Sequence, residues 1–302
     1  MAAKRLQEVK DNVTPKNKEA ITKLLRFIRE NNDGIVQGAW FPDSVIHDNS
    51  TGHIWKLELG SGFGTRIHKL PSTSKVKKIV KDREENEAVN LIIGNLPDRC
   101  QALAYEIRDK LKIKHNVAVK QKNPGAAIIP TNNEIALSFF MLAHYVADAH
   151  MPLHCDSRKF RDSIHGHIES YWEDEIKNNY TLLVDPARKD KQFELDCNGF
   201  PKAKELDPFL TSINEDVKNR KFVIGFGSKN NNVWDYIVDI CYYSYILSTE
   251  ILPLSTKVNI TKSQYISTHH QDLMNSSEAI LGDVIDSLAR IWLDIWKNYE
   301  QN

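Results

Sequence analysis

TNNEIALSFFMLAHYVADAHMPLH, residues 131–154, is the stretch on which the fold turns. Thr131 followed by Glu134 has the form of a capping box, in which each side chain bonds the other's backbone N–H, and it opens a helix at about residue 132. Ile135, Ala136, Leu137, Phe139, Phe140, Met141, Leu142, Ala143, Tyr145 and Val146 then make that helix apolar nearly all round. A helix of that kind is buried. His144 and Asp148, four residues apart, share one face of it, with Cβ atoms about 5–6 Å from each other. A carboxylate carried into a core must be paired, hydrogen-bonded or bound to a metal. Pro152 stops the helix and leaves His154 at its mouth, free to turn toward a neighbouring site.

Downstream, His165 and Glu169 repeat the four-residue spacing. A single His–Asp pair is more often a satisfied hydrogen bond within a core than a metal site. With His154, His165 and Glu169 nearby the balance reverses. Neutral imidazoles and hard carboxylates at helical spacing are the donors a zinc centre uses.

The string HYVADAHMPLH, from His144 to His154, resembles the HYxGDxHQPLH signature of the zinc-dependent phospholipase C and single-strand-specific nuclease superfamily. IHGHIESYWE, from Ile164, is similar to the HxxxE/D helix that follows it there. Upstream, Gly38-Ala-Trp40-Phe-Pro42-Asp43 resembles that family's Gly-x-x-x-Pro-Asp element, and Gly52-His53-Ile54 resembles the histidine after it. The likeness covers residues 34–60 and 131–176, with the motifs in the family's order.

Carried over residue by residue, the resemblance implies two zinc ions. Asp43, His53, His144 and Asp148 would hold one. His154, His165 and Glu169 would hold the other, with a position left open, as a catalytic zinc requires. An alternative register, aligning Trp172-Glu173 with a family Trp-Asp pair, would put Glu169 in place of a histidine and Glu173 in place of the carboxylate. The His165/Glu169 register is preferred because it keeps a histidine as ligand. The family's third ion uses an N-terminal tryptophan, a nearby histidine and the equivalent of Asp148. This chain begins Met-Ala-Ala-Lys-Arg and its first histidine is His47, so no match for those ligands is found. The resemblance further implies that Asp43 orients or deprotonates the attacking water. His150 and His167 are expected beside the ligands rather than among them.

Lys plus Arg equals Asp plus Glu at 40 each, so no global basic field concentrates nucleic acid. Lysine runs at 69–81 and 109–122 read as solvated faces. Cys100, Cys155, Cys197 and Cys241 lack any CxxC spacing; Cys155, beside His154, reads as a packed thiol. No apolar run reaches the roughly 18–20 residues of a membrane span. The charged N-terminus has no apolar signal core, which points to the cytoplasm; a leader missing from the chain would make the protein secreted, as the family mostly is.

Helical periodicity predicts further helices over 17–31, 83–95, 98–112, 233–252 and 278–299, with Trp292 and Trp296 in the core and a loop over 119–130. His269-His270 reads as surface, since adjacent residues on a helix diverge. The expectation is an all-α, single-domain multi-helix bundle of the zinc-dependent phospholipase C type over residues 1–302, with a loop-rich insertion at 178–232. The function implied is hydrolysis of a phosphodiester or phospholipid by hydroxide generated at zinc. The alternative is a catalytically impaired protein that keeps zinc for stability.

Overall fold

The computed structural model describes residues 1–31, 38–39, 41–48, 50–60, 69–83, 87–115, 129–179, 182–184, 191–194, 202, 208–226 and 232–300. Helices α1 (Ala2–Val9) and α2 (Pro15–Glu30) come first, α2 with a proline in its first turn, where the missing N–H costs nothing. A wide helical turn at Pro42–Ile46 and a 3-10 turn at Ser50–His53 lead into β1 (Trp55–Leu59). After α3 (Lys75–Ile79) comes β2 (Val89–Gly94), then α4 (Leu96–His115), α5 (Asn132–His150), the single turn α6 (Pro152–Cys155) and α7 (Asp162–Asn179). Strands β3 (Leu182–Val184) and β4 (Lys191–Phe193) form a small antiparallel pair. Helices α8 (Pro208–Asn219), α9 (Val233–Ile251), α10 (Lys262–Thr268) and α11 (His270–Glu300) complete the chain.

The architecture is mostly helical, as expected. The capping box at Thr131 and Glu134 is present, and α5 runs buried against α4, α9 and α11. Trp292 on α11 stands edge-on to Phe139 of α5, ring centroids 6.1 Å apart, and its indole N–H donates to the Phe139 carbonyl at 3.3 Å. Trp292 and Trp296 are both core residues. Each large side chain buried in this way contributes roughly 1.5–3 kcal/mol.

Residues 83–95 do not form the expected helix. Val89–Gly94 is a strand, paired antiparallel to β1 with a bulge between Lys56 and Leu57. Its apolar run is too short for a helical stripe and too rich in isoleucine and valine to prefer one. Gly94, at φ +135, ends the strand where a Cβ would collide with the Ile54 backbone. The Asn95-Leu96-Pro97-Asp98 segment then starts α4 instead of separating two helices, the Asn95 carbonyl accepting from the Arg99 N–H at 3.0 Å. Helix α11 begins at His270, two turns before the predicted start. Within 178–232 the described residues include two strands, α8 and the segment 220–226 that follows it; 180–181, 185–190, 195–201, 203–207 and 227–231, like 116–128 of the predicted loop, lie outside the described residues.

A buried ionic chain ties α1, α3, α8 and α11 together. Arg5 pairs with Asp286 at 2.8 Å, Asp286 faces Arg290 at 3.4 Å, and Arg220 bonds Asp283 at 2.6 Å and Asp216. Asp283 also accepts from the Ser74 hydroxyl and the backbone N–H groups of Lys75 and Val76.

Candidate metal centre

Four short segments converge at one end of α5. Gly38 lies so close to Phe140 of α5 that a Cβ would strike it, and this close approach brings in the chain that carries Asp43. The wide turn Pro42–Ile46 ends at His47, held at φ +49, a left-handed conformation uncommon for a residue with a Cβ. His53 closes the 3-10 turn, which docks on the start of α4 through the Asn95 N–H to the Thr51 carbonyl at 2.9 Å. His154 sits on α6, and the chain after it is anchored by Asp156. That fully buried carboxylate accepts from Ser248 at 2.7 Å and from Arg158 at 2.6 Å.

The structure gathers the predicted ligands into two groups. Asp43, His53 and His144 offer donor atoms all within 4.8 Å of one another. His53 Nδ1 lies 3.1 Å from His144 Nε2, and Asp43 Oδ1 lies 3.6 and 3.7 Å from His144 Nε2 and His53 Nε2. Asp148 completes the set, with Oδ2 2.9 Å from His53 Nδ1 and 3.3 Å from His144 Nε2. The second group is His154, His165 and Glu169. The two Nε2 atoms are 2.9 Å apart, and Glu169 Oε1 is 3.0 Å from His165 and 3.7 Å from His154.

These groups fit a small tetrahedral cation. Zinc–nitrogen bonds of about 2.0–2.1 Å at tetrahedral angles put donor atoms roughly 3.3 Å apart. With Nδ1 as the His53 donor, spacings of 2.9–3.6 Å in the first group bracket that value, as do spacings of 2.9–3.7 Å in the second. Either cluster could hold a metal ion. Buried ligands lie at the base, with Asp148 13 % exposed, and open ones at the lip, with Asp43 67 % and Glu169 53 % exposed. Glu173, the alternative to Glu169, is exposed and is not part of the cluster.

The electrostatics follow from this packing. Burial alone would raise the Asp148 carboxyl, but hydrogen bonding to His144, His154 and His53 holds it well below the usual carboxylate range. Burial lowers His154, yet Asp148 and Glu169 overcome it and bring the ring to about 9. His144 is likewise raised by Asp148 and Asp43 against the effect of burial. Hydrogen bonds from His154 and His165 bring Glu169 down to about 2.

His150 and His167 point elsewhere. The His150 ring, 4 % exposed, reaches Ser287 on α11 at 3.1 Å, and burial drives it down to about 3. His167 faces Tyr265 and His270, on the other side of α7 from His165 and Glu169. The His270 ring is packed among His167, Tyr171 and Tyr265 rather than standing free at the surface. Cys155 is a buried thiol contacting the Ala149 carbonyl, and Cys100 and Cys241 are also free and buried. Cys197 lies outside the described residues.

Sequence reasoning missed a second group beside the first cluster. Asp48 accepts from the Tyr145 hydroxyl at 2.7 Å and from the Arg99 guanidinium. The Tyr145 ring lies 5.1 Å from that of His53, and the Arg99 guanidinium stands 5.8 Å over it, 40 % exposed. A lone Arg–Asp pair at positions 99 and 48 has no local spacing signal, so only the fold reveals it.

Comparison of the chain with protein-family models, with curated proteins and with solved structures found no match. No helix of the described residues is long and apolar enough to cross a membrane.

Proposed function

We propose that the protein is a zinc-dependent hydrolase of phosphate esters, a phosphodiesterase of the phospholipase C or nuclease-like kind, in a bundle of that type. What carries the reading is the convergence of seven side chains from five segments into two adjacent donor sets: Asp43, His53, His144 and Asp148, then His154, His165 and Glu169. The order of those residues along the chain, set against the family's motifs, supports the choice of zinc and of a phosphodiester or phospholipid substrate.

Zinc held in these groups would supply Lewis acidity and lower the pKa of water. The remaining work falls to the chain. Asp43, exposed at the lip, is placed to orient an attacking water and accept its proton. His165 and Glu169 line the open side, where phosphoryl oxygens would enter. Arg99, held by Asp48 beside the first cluster, offers a charge that offsets negative charge growing on those oxygens.

The test joins zinc content by native mass spectrometry to turnover of bis-p-nitrophenyl phosphate. Two or more ions with turnover that disappears in His154→Ala is the expected result. Ions without turnover would favour the zinc-stabilised, non-catalytic alternative, and a chain that takes up no zinc would sink both.

A further inference from the structure

A third pair of histidines, outside the two clusters, has the same spacing as the pairs within them. His167 of α7 and His270 at the start of α11 have ring centroids 5.0 Å apart. The corresponding distances are 5.1 Å for His53 and His144 and 4.9 Å for His154 and His165. Two imidazoles bound to one tetrahedral ion at about 2.0–2.1 Å have centroids roughly 5.2 Å apart. All three pairs match.

The third pair also carries unused donors. His167 Nε2 and His270 Nδ1 are both buried atoms without a hydrogen-bond partner, and the hydroxyl of the fully buried Tyr265 is a third. The Tyr265 ring lies 6.0 Å from His167 and 6.3 Å from His270, so the three groups form one cluster. Buried polar atoms are almost always satisfied, and each exception calls for an explanation. One ion would satisfy all three. Of the nearby charges, Lys262 acts on His167 and Asp272 on Tyr265.

The geometry points to a structural site for a late first-row divalent cation such as zinc, held by the imidazoles of His167 and His270 with the Tyr265 oxygen beside them. Imidazole suits zinc, copper and nickel, and excludes the hard cations calcium and magnesium. Such an ion would clamp α7 to the α10–α11 junction. Helix α7 carries His165 and Glu169 on its opposite face, so the clamp would fix the helix without touching the phosphoester site.

Zinc per chain is counted by native mass spectrometry on the full-length protein, with hydrogen exchange followed over 262–270. Wild type should carry one ion more than either His167→Gln or His270→Gln, and exchange over 262–270 should rise in both variants. A His154→Ala/His165→Ala protein should retain the ion, which separates this site from the one proposed for catalysis. Equal zinc counts in wild type and in folded His167→Gln would overturn the site and leave a packed, ion-free pair of rings. If His270→Gln fails to fold, His167→Gln, on a half-exposed position, decides alone.

Discussion

Asp148 and His154 are joined back to back across the two clusters. Asp148 Oδ1 lies 3.3 Å from His154 Nδ1, while its Oδ2 lies 2.9 Å from His53 and the far nitrogen of His154 lies 2.9 Å from His165. One carboxylate thus serves as a donor in the first cluster and steers a donor of the second. Carboxylates that orient a metal-binding imidazole are worth about 10–100-fold in affinity. Asp148→Asn should therefore weaken both ions, the second by that factor, in competition against a chromogenic chelator. A loss confined to one ion would show that the link carries no energy.

The metal-free protein should be most stable near pH 6.5, because His150, which burial lowers from 6.5 to about 3, makes its full contribution only above 6.5 and loses it as pH falls toward 3. His154 is raised from an ordinary 6.5 to about 9, so its contribution is full below 6.5 and is lost as pH rises through 9. Glu169 is lowered from 4.5 to about 2, so its contribution is full above 4.5 and is lost as pH falls through 2. The alkaline loss from His154 is of the order of 3 kcal/mol. Urea unfolding in excess chelator, repeated across this range, measures it. Zinc-loaded protein should lack the alkaline decline, because zinc binds the deprotonated rings.

Gly38→Ala should disturb the first cluster and spare the second. A Cβ there meets the Phe140 side chain and comes within 3.0 Å of the Leu137 carbonyl, so the Asp43 segment must move off α5. Overpacking of this kind costs about 1–3 kcal/mol. Chelator competition should show the ion nearer Asp43 weakened and the ion at His154 unchanged.

Arg99→Gln should leave zinc content intact and lower kcat/KM for a phosphodiester about ten- to hundredfold, the worth of a charged hydrogen bond to the substrate. An unchanged kcat/KM would remove Arg99 from the reaction.

Asp286→Ala should be among the most damaging single changes outside the site. It strands Arg5 and Arg290, both about 1 % exposed at their side chains, without a counter-charge. Removing one partner of a buried pair costs about 3–5 kcal/mol. Urea unfolding should show that loss, with zinc stoichiometry unchanged in protein that stays folded.

What the amino-acid order by itself determined was local. The capping box at Thr131 and Glu134, the buried helix it opens and the shared face of His144 and Asp148 depend on contacts within a few turns, and hydrophobic period reports those directly. The four-residue step from His165 to Glu169 is legible for the same reason. Pairing between distant segments decided the rest. Whether Val89–Gly94 would be strand or helix depended on β1, more than thirty residues away, because a short apolar run has no strong preference until a partner supplies its hydrogen bonds. The same holds for His150 and His167. Their closeness in sequence to the ligands suggested closeness in space, but successive helix residues point in different directions, and packing against α11 and α10 turned both rings away. Asp48, Arg99 and the His167–His270 pair became visible only in the folded chain, since distance between side chains on different helices is a property of tertiary packing and leaves no trace in spacing along the sequence.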